Sequence, residues 1–118
     1  MTGRIIPHAN VIEIRQGDSF TIQIQIKKSH RNINLSGSSL TMQARDDNGK
    51  TVLDKLAAEV DAVNGKFAFV LTPSDTNIQI GEYYTDIELS TPDGSVNTIF
   101  PSDVNKVGIL RITEQVTR

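Results

Sequence analysis

The sequence contains no cysteine and no tryptophan, and only two of its 118 residues are tyrosine. Without cysteine, neither a disulfide framework nor a thiolate metal site can form, so the fold must depend on its apolar core. A chain of this length can bury enough apolar surface to do so. We therefore expect one domain over residues 1–118, with residues 1–9 as a candidate N-terminal arm.

The chain also lacks a strong net charge, because 12 lysine and arginine residues face 14 aspartate and glutamate residues, which gives −2. Proteins that bind phosphate backbones nonspecifically are usually basic, so we expect no nucleic-acid partner. No apolar run reaches membrane-spanning length, and the first eight residues lack the apolar region of a signal peptide. We expect no membrane partner and synthesis in a cytoplasm.

What the sequence does have is a strict alternation of apolar and polar residues, the pattern of half-buried β-strands. It is clearest in Phe20-Thr-Ile-Gln-Ile-Gln-Ile26. Asn48-Gly49 is the strongest hairpin signal and predicts a type I′ turn. Residues 53–63 have helical spacing, but their place between two Asn-Gly turns favours strand. Roughly eight or nine such strands predict an all-β, immunoglobulin-like antiparallel sandwich.

The region 71–89 predicts how the chain crosses from one sheet to the other. A strand is followed by a polar corner that opens with proline, then by a glycine and a second alternating strand. In such sandwiches a tyrosine near the start of this strand bonds back to the corner backbone. Ile78 and Ile80 are expected to close the end of the core. The predicted corner residues are Pro73, Asp75, Gly81 and Tyr83.

Several exposed positions are candidates for protein contacts, and these are Tyr84, Asp86, Arg4, Ile5, Ile6, Lys27, Lys28 and Arg31. Tyr84 is predicted on the outer face of its strand, and exposed aromatic residues are enriched at interfaces. The basic residues either form a solvated loop that protects a sheet edge or contact an acidic partner. The N-terminal arm suits an added edge strand or docking on a neighbour.

No set of residues predicts catalysis, a cofactor or a bound metal. The acidic run 46–49 offers oxygens for calcium, but it misses the EF-hand spacing and a hairpin turn explains it better. His8 and His30 are the only histidines, and each suits a solvated loop. Asp86 and Glu88 lie about 7 Å apart on one strand face, a spacing also found in glycosidases, but the wet face of any strand shows such pairs. We expect no enzymatic activity.

Five motifs are spread over nearly the whole chain, namely Gln16-Gly17-Asp18-Ser-Phe-Thr-Ile, Asn34-Leu-Ser-Gly37, Asn64-Gly-Lys-Phe67, Leu71-Thr-Pro73 and Gly81-Glu-Tyr-Tyr-Thr-Asp-Ile-Glu-Leu89. Their arrangement resembles the N-terminal immunoglobulin-like domain of phage baseplate upper proteins. The resemblance implies a structural role, since such domains anchor receptor-binding or fibre proteins to the tail and carry no catalytic residues.

The resemblance also implies a virion protein made in the cytoplasm of a host bacterium. Its partners would be other phage structural proteins, in a homo- or hetero-oligomer. Family members usually continue past this domain, whereas this chain stops at Arg118, so a tail or head accessory protein, an adaptor and an isolated domain all fit. Two other functions compete. A carbohydrate-binding module would need a platform of exposed aromatics, and a small hydrolase would rely on Asp86 and Glu88.

Overall fold

The computed structural model describes the backbone of residues 3–6, together with residues 10–101 and 106–114. Most of this part of the chain is β-structure. In chain order the strands are β1 (Gly3–Ile6), β2 (Val11–Arg15), β3 (Phe20–Gln25), β4 (Lys27–Lys28), β5 (Arg31–Asn32), β6 (Ser39–Arg45), β7 (Thr51–Leu56), β8 (Ala58–Asp61), β9 (Lys66–Leu71), β10 (Gly81–Ser90), β11 (Val96–Phe100) and β12 (Gly108–Thr113). A 3₁₀ turn covers Ala62–Asn64, and the short helix α1 covers Pro73–Thr76.

The strands form two facing sheets and one small hairpin. The larger sheet has the order β1-β2-β12-β10-β6-β7, with β11 also paired to β10, and the smaller sheet has the order β3-β9-β8. The prediction of an all-β, immunoglobulin-like sandwich is confirmed. One pair departs from the antiparallel arrangement, because β2 runs parallel to β12, with Val11 opposite Ile109. The turn at residues 16–19 sends the chain from the larger sheet at β2 to the smaller sheet at β3, so β2 does not pair with β3.

One hydrophobic core lies between the two sheets, since the alternating apolar residues of both sheets face inward. The largest fully buried apolar side chains are Ile12, Ile14, Leu40, Met42, Phe67, Phe69, Leu71, Leu110 and Ile112. Ile78 packs against this core, but Ile80 is 48% exposed, so the expectation that Ile80 closes the core is wrong. Ile80 directly precedes β10, in the surface connection between α1 and β10.

The hairpin between β6 and β7 is present, but its turn is not type I′. Gly49 has a φ of 80°, whereas Asn48 does not have a positive φ. The carboxylate of Asp46 accepts hydrogen bonds from the backbone N–H groups of Asn48 and Lys50, both at 2.9 Å. Gly49 N also donates to Asp46 O at 3.0 Å. This is a type I turn closed by a glycine bulge, and it uses the Asp46 carboxylate that the calcium hypothesis required.

The basic segment after β3 forms a hairpin instead of the expected loop. Ser29 and His30 have φ values of 52° and 64°, and two consecutive residues with positive φ produce a type I′ turn. Lys28 pairs with Arg31 across it. Residues 53–63 are strand, as predicted, except for Ala57 between β7 and β8 and the 3₁₀ turn at their end. The division of this region between β7 and β8, together with the new hairpin, raises the strand number above the predicted eight or nine.

The N-terminal segment adds an edge strand to the larger sheet. The backbone of β1 pairs antiparallel with β2, with Gly3 opposite Ile14 and Ile6 opposite Val11. Residues 1–2 and 7–9, which include His8, lie outside the described residues. The backbone of Arg4, Ile5 and Ile6 therefore extends the larger sheet.

Candidate interaction site

The corner between β9 and β10 fixes where β10 begins. Pro73 occupies the first turn of α1, and Thr72 caps the helix through a reciprocal pair of bonds with Asp75, at 3.2 and 2.8 Å. Lys55 Nζ lies 2.7 Å from Asp75 Oδ2, which ties the corner to β7. The hydrogen bond from Lys55, and next that from the Thr72 backbone, holds the pKa of the Asp75 carboxyl below its usual value.

Tyr83 holds the start of β10 against the corner. Tyr83 is buried as a residue, and its hydroxyl donates to the backbone oxygen of Gln79 at 2.5 Å, the bond of a tyrosine corner. Burial, and next the charge of Asp46, raises the pKa of Tyr83. Gly81, with a φ of 149°, begins the strand. Because consecutive strand residues face opposite sides, an inward Tyr83 forces Tyr84 outward, where it is 53% exposed.

A groove opens beside Tyr84 on the outer face of the larger sheet. Two strands share one edge of β10, since β12 pairs with Gly81–Thr85 and β11 pairs with Ile87–Ser90. The groove has a volume of about 660 Å³. We call it the Tyr84 groove, and its lining includes Arg45, Tyr84, Asp86, Glu88, Lys106 and Val107.

The lining of the Tyr84 groove includes charged side chains of both signs, Arg45, Asp86, Glu88 and Lys106, which we call the charged rim. Tyr84 and Val107, which also line the groove, are both exposed. In the part of the chain that the structure describes, no ion pair involves Asp86, Glu88 or Lys106. An exposed aromatic residue among charged and polar groups is a combination that is common in protein-binding surfaces.

The other predicted contact residues lie elsewhere. The Tyr84 groove is lined by residues of β6, β10, β11 and the segment leading into β12. Lys27, Lys28 and Arg31 are exposed in the hairpin of β4 and β5, next to the smaller sheet. The backbone of Arg4, Ile5 and Ile6 lies in the edge strand β1. The structure therefore brings together Tyr84 and Asp86 but not the remaining candidates.

Sequence reasoning missed the groove residues that strands other than β10 contribute. Arg45 lies opposite Tyr84 on β6, and Lys106 and Val107 come from the chain leading into β12. The outward direction of Arg45 was predictable from the sequence, because Arg45 follows the buried Ala44 in an alternating strand. Its position next to Tyr84 was not, because pairing between β6 and β10 has no local signal.

The described residues offer little for other chemistry. Within residues 10–101 and 106–114, no group of three or more histidine or acidic residues is placed to hold a metal ion. Tyr83 is buried, so Tyr84 alone remains as an exposed tyrosine. The helices in the described part are also too short and too polar to cross a bilayer.

Comparison with known proteins gives one family and a group of similar folds. The sequence profile of the BppU N-terminal domain matches residues 4–99. No curated protein matches the chain. Among solved structures, the N-terminal domain of phage TP901-1 ORF48 is 15% identical, with a TM-score of 0.52 over 90% of this chain and 85% of that chain.

Two further solved structures are similar at lower scores. CopC from Methylosinus trichosporium OB3b is 11% identical, with a TM-score of 0.49 over 90% of this chain and 86% of that chain. Murine CRIg is also 11% identical, with a TM-score of 0.42 over 98% of both chains. At such identities, a structural likeness concerns the fold alone.

Proposed function

Because this chain belongs to the BppU N-terminal domain family, the N-terminal domains of phage baseplate upper proteins, we propose that it is a non-enzymatic assembly module of a tailed-phage virion. It attaches to neighbouring baseplate proteins through the Tyr84 groove. Its place is the virion, after synthesis in the host bacterial cytoplasm.

The exposed side chain of Tyr84 is the observation that carries this proposal. Tyrosine supplies a large apolar area and a polar tip, and it is enriched among the residues that dominate binding energy. Tyr84 is held on a rigid strand, because the corner bond from Tyr83 to Gln79 fixes the residue before it. A backbone fixed in this way loses little conformational freedom when a partner covers Tyr84.

The charged rim supports a protein partner. Asp86 and Glu88 line the groove together with Arg45 and Lys106, so charges of both signs lie in the same groove as Tyr84. Such a rim sets orientation and rejects wrong partners more than it adds affinity. A carbohydrate platform usually combines several aromatic faces, whereas one exposed tyrosine is present among the described residues.

The test is binding to the products of neighbouring reading frames, measured by size-exclusion chromatography with light scattering. Tyr84→Ala should weaken the complex at least about 30-fold, the effect of losing a 2 kcal/mol contact. Asp86→Lys should also weaken it by reversing one rim charge. Val70→Ala is the matched control, because Val70 is 52% exposed but lies on the outer face of the smaller sheet.

Two results would contradict the proposal. The first is absence of the protein from purified virions. The second is a complex that Tyr84→Ala and Asp86→Lys leave as strong as the wild type. Binding to a glycan array that is lost in Tyr84→Ala would instead favour a carbohydrate-binding module.

A further inference from the structure

The outer edge of β3 is open among the described residues. β3 is the last strand of the smaller sheet, and its six residues pair with β9 without a register shift. Just past this strand, Ile26 N donates to Gly65 O at 2.9 Å. Because every second residue of an antiparallel strand bonds to the same neighbour, the inward-bonding residues are Phe20, Ile22 and Ile24. The backbone N–H and C=O groups of Thr21, Gln23 and Gln25 therefore point away from β9.

The topology explains why this edge is left uncovered. β2 precedes β3 in the chain but pairs with β12 in the other sheet. β1 then adds one more strand to the larger sheet beyond β2. The larger sheet is extended on the side where the chain turns into β3, and the smaller sheet has no described strand to match that extension.

The β3 edge also lacks the features that protect sheet edges from pairing. The edge strand β8 contains a register shift between Glu59 and Asp61, which are both acidic. The edge strand β7 carries Asp54 and Lys55. By contrast, β3 has no charged residue, no proline and no bulge.

We propose that β3 pairs antiparallel with β3 of a second copy of this chain, around a two-fold axis at Gln23. Gln23 then lies opposite Gln23 of the second copy, and Thr21 lies opposite Gln25. The two smaller sheets join into one sheet of six strands. This interface goes beyond the proposed baseplate function and uses no residue of the Tyr84 groove.

The residues of β3 are complementary to themselves in this register. On the outer face the facing side chains are neutral, so the symmetric pairing avoids the repulsion that like charges cause when they lie opposite each other. On the inner face Ile22 lies opposite Ile24 of the second copy. Phe20 and Ile24 are only partly buried in one copy, so the second strand covers apolar surface that one chain leaves open. Three outward residues on each strand give about six backbone hydrogen bonds.

A charge exchange at Gln23 tests the pairing while leaving the fold intact, because this side chain is exposed. Light scattering of the wild type across a wide concentration range should show a rise to twice the mass of one chain. Gln23→Lys alone and Gln23→Glu alone should each raise the dimer dissociation constant by up to about fivefold, since like charges then face each other. An equal mixture of the two variants should restore the dimer.

Val70→Lys is the matched control, because it adds the same charge on the outer face of β9, which is the central strand of this sheet. It should dimerise as the wild type does, and so should Tyr84→Ala. A wild type that stays monomeric, or a dimer that neither Gln23 variant weakens, would overturn the proposal. So would pairing of β3 with a strand of another baseplate protein in place of its own copy.

Discussion

Replacing Gly65 with alanine is expected to destabilise the fold more than the same replacement at Gly49. Both glycines have left-handed φ values, 72° and 80°, and an alanine in that region costs about 1–2 kcal/mol. The two sites differ in space. A Cβ at Gly49 would meet nothing within 4 Å, whereas a Cβ at Gly65 would lie 2.5 Å from the carbonyl oxygen of Ile26 and 3.2 Å from that of Ile33.

The crowding at Gly65 is hard to relieve, because the nearest atoms belong to the backbone. Ile26 also donates its N–H to Gly65 O, so moving either chain segment would disturb a bond that continues the ladder between β3 and β9. Overpacking of this kind typically costs about 1–3 kcal/mol. The sum is about 2–5 kcal/mol for Gly65→Ala, against about 1–2 kcal/mol for Gly49→Ala.

Equilibrium unfolding in guanidinium chloride measures both changes. The midpoint should fall in each variant while the slope of the free energy with denaturant stays constant, because the surface exposed on unfolding is the same. Thermal unfolding should place Gly65→Ala about 4–12 °C below Gly49→Ala, since 1 kcal/mol corresponds to about 4 °C for a domain of this size. Equal losses in the two variants would refute the claim that the Ile26 oxygen restricts this position.

Two further predictions concern the corner. Asp75→Ala should lower the free energy of unfolding by about 1 kcal/mol at pH 7, because the carboxylate accepts from Thr72 N and from Lys55. The pKa of Asp75 is lowered in the folded state, so this contribution is complete above the usual value of 3.8 and is lost as the pH falls through the folded-state pKa. Wild type and variant should therefore converge in acid, and a constant difference at every pH would contradict this. Tyr83→Phe should cost about 1 kcal/mol in denaturant titrations through the bond to Gln79. The pKa of Tyr83 is raised, so its contribution is complete below the usual value of 10.0 and is lost as the pH rises through the folded-state pKa. An equal alkaline loss in the wild type and the phenylalanine variant would rule out this assignment.

Local alternation was enough to predict the longer strands and the faces of their residues, although it missed the short hairpin of β4 and β5. The pattern Phe20-Thr-Ile-Gln-Ile-Gln is a strand with its isoleucines inward, and the outward direction of Tyr84 follows once Tyr83 is placed at the corner. Such predictions succeed because the period of two depends only on the residue's own strand and on which side is dry.

Turn geometry was less predictable, because a side chain outside the Asn-Gly pair can decide it. Asn48-Gly49 suits a type I′ turn, but the Asp46 carboxylate bonds to two N–H groups of the turn and stabilises another geometry. The type I′ geometry occurs instead at Ser29 and His30, which are weaker turn signals than Asn-Gly. The order of strands in the sheet could not be predicted for a different reason. The groove forms where β6, β10, β11 and β12 meet, and the pairing of distant strands leaves no signal in any single segment of the sequence.

The parallel pair of β2 and β12 has a consequence for the order in which the protein folds. Glu13 and Arg111, which face each other in this pair and bond at 3.2 Å, are 98 residues apart in sequence. On the ribosome, β2 emerges long before its partner exists. Closing so long a loop is entropically costly, and all-β domains rich in such distant contacts fold in milliseconds to seconds. The larger sheet can therefore be completed only after β12 has left the ribosome, so β2 lacks this partner while the 98 residues from Glu13 to Arg111 are synthesised.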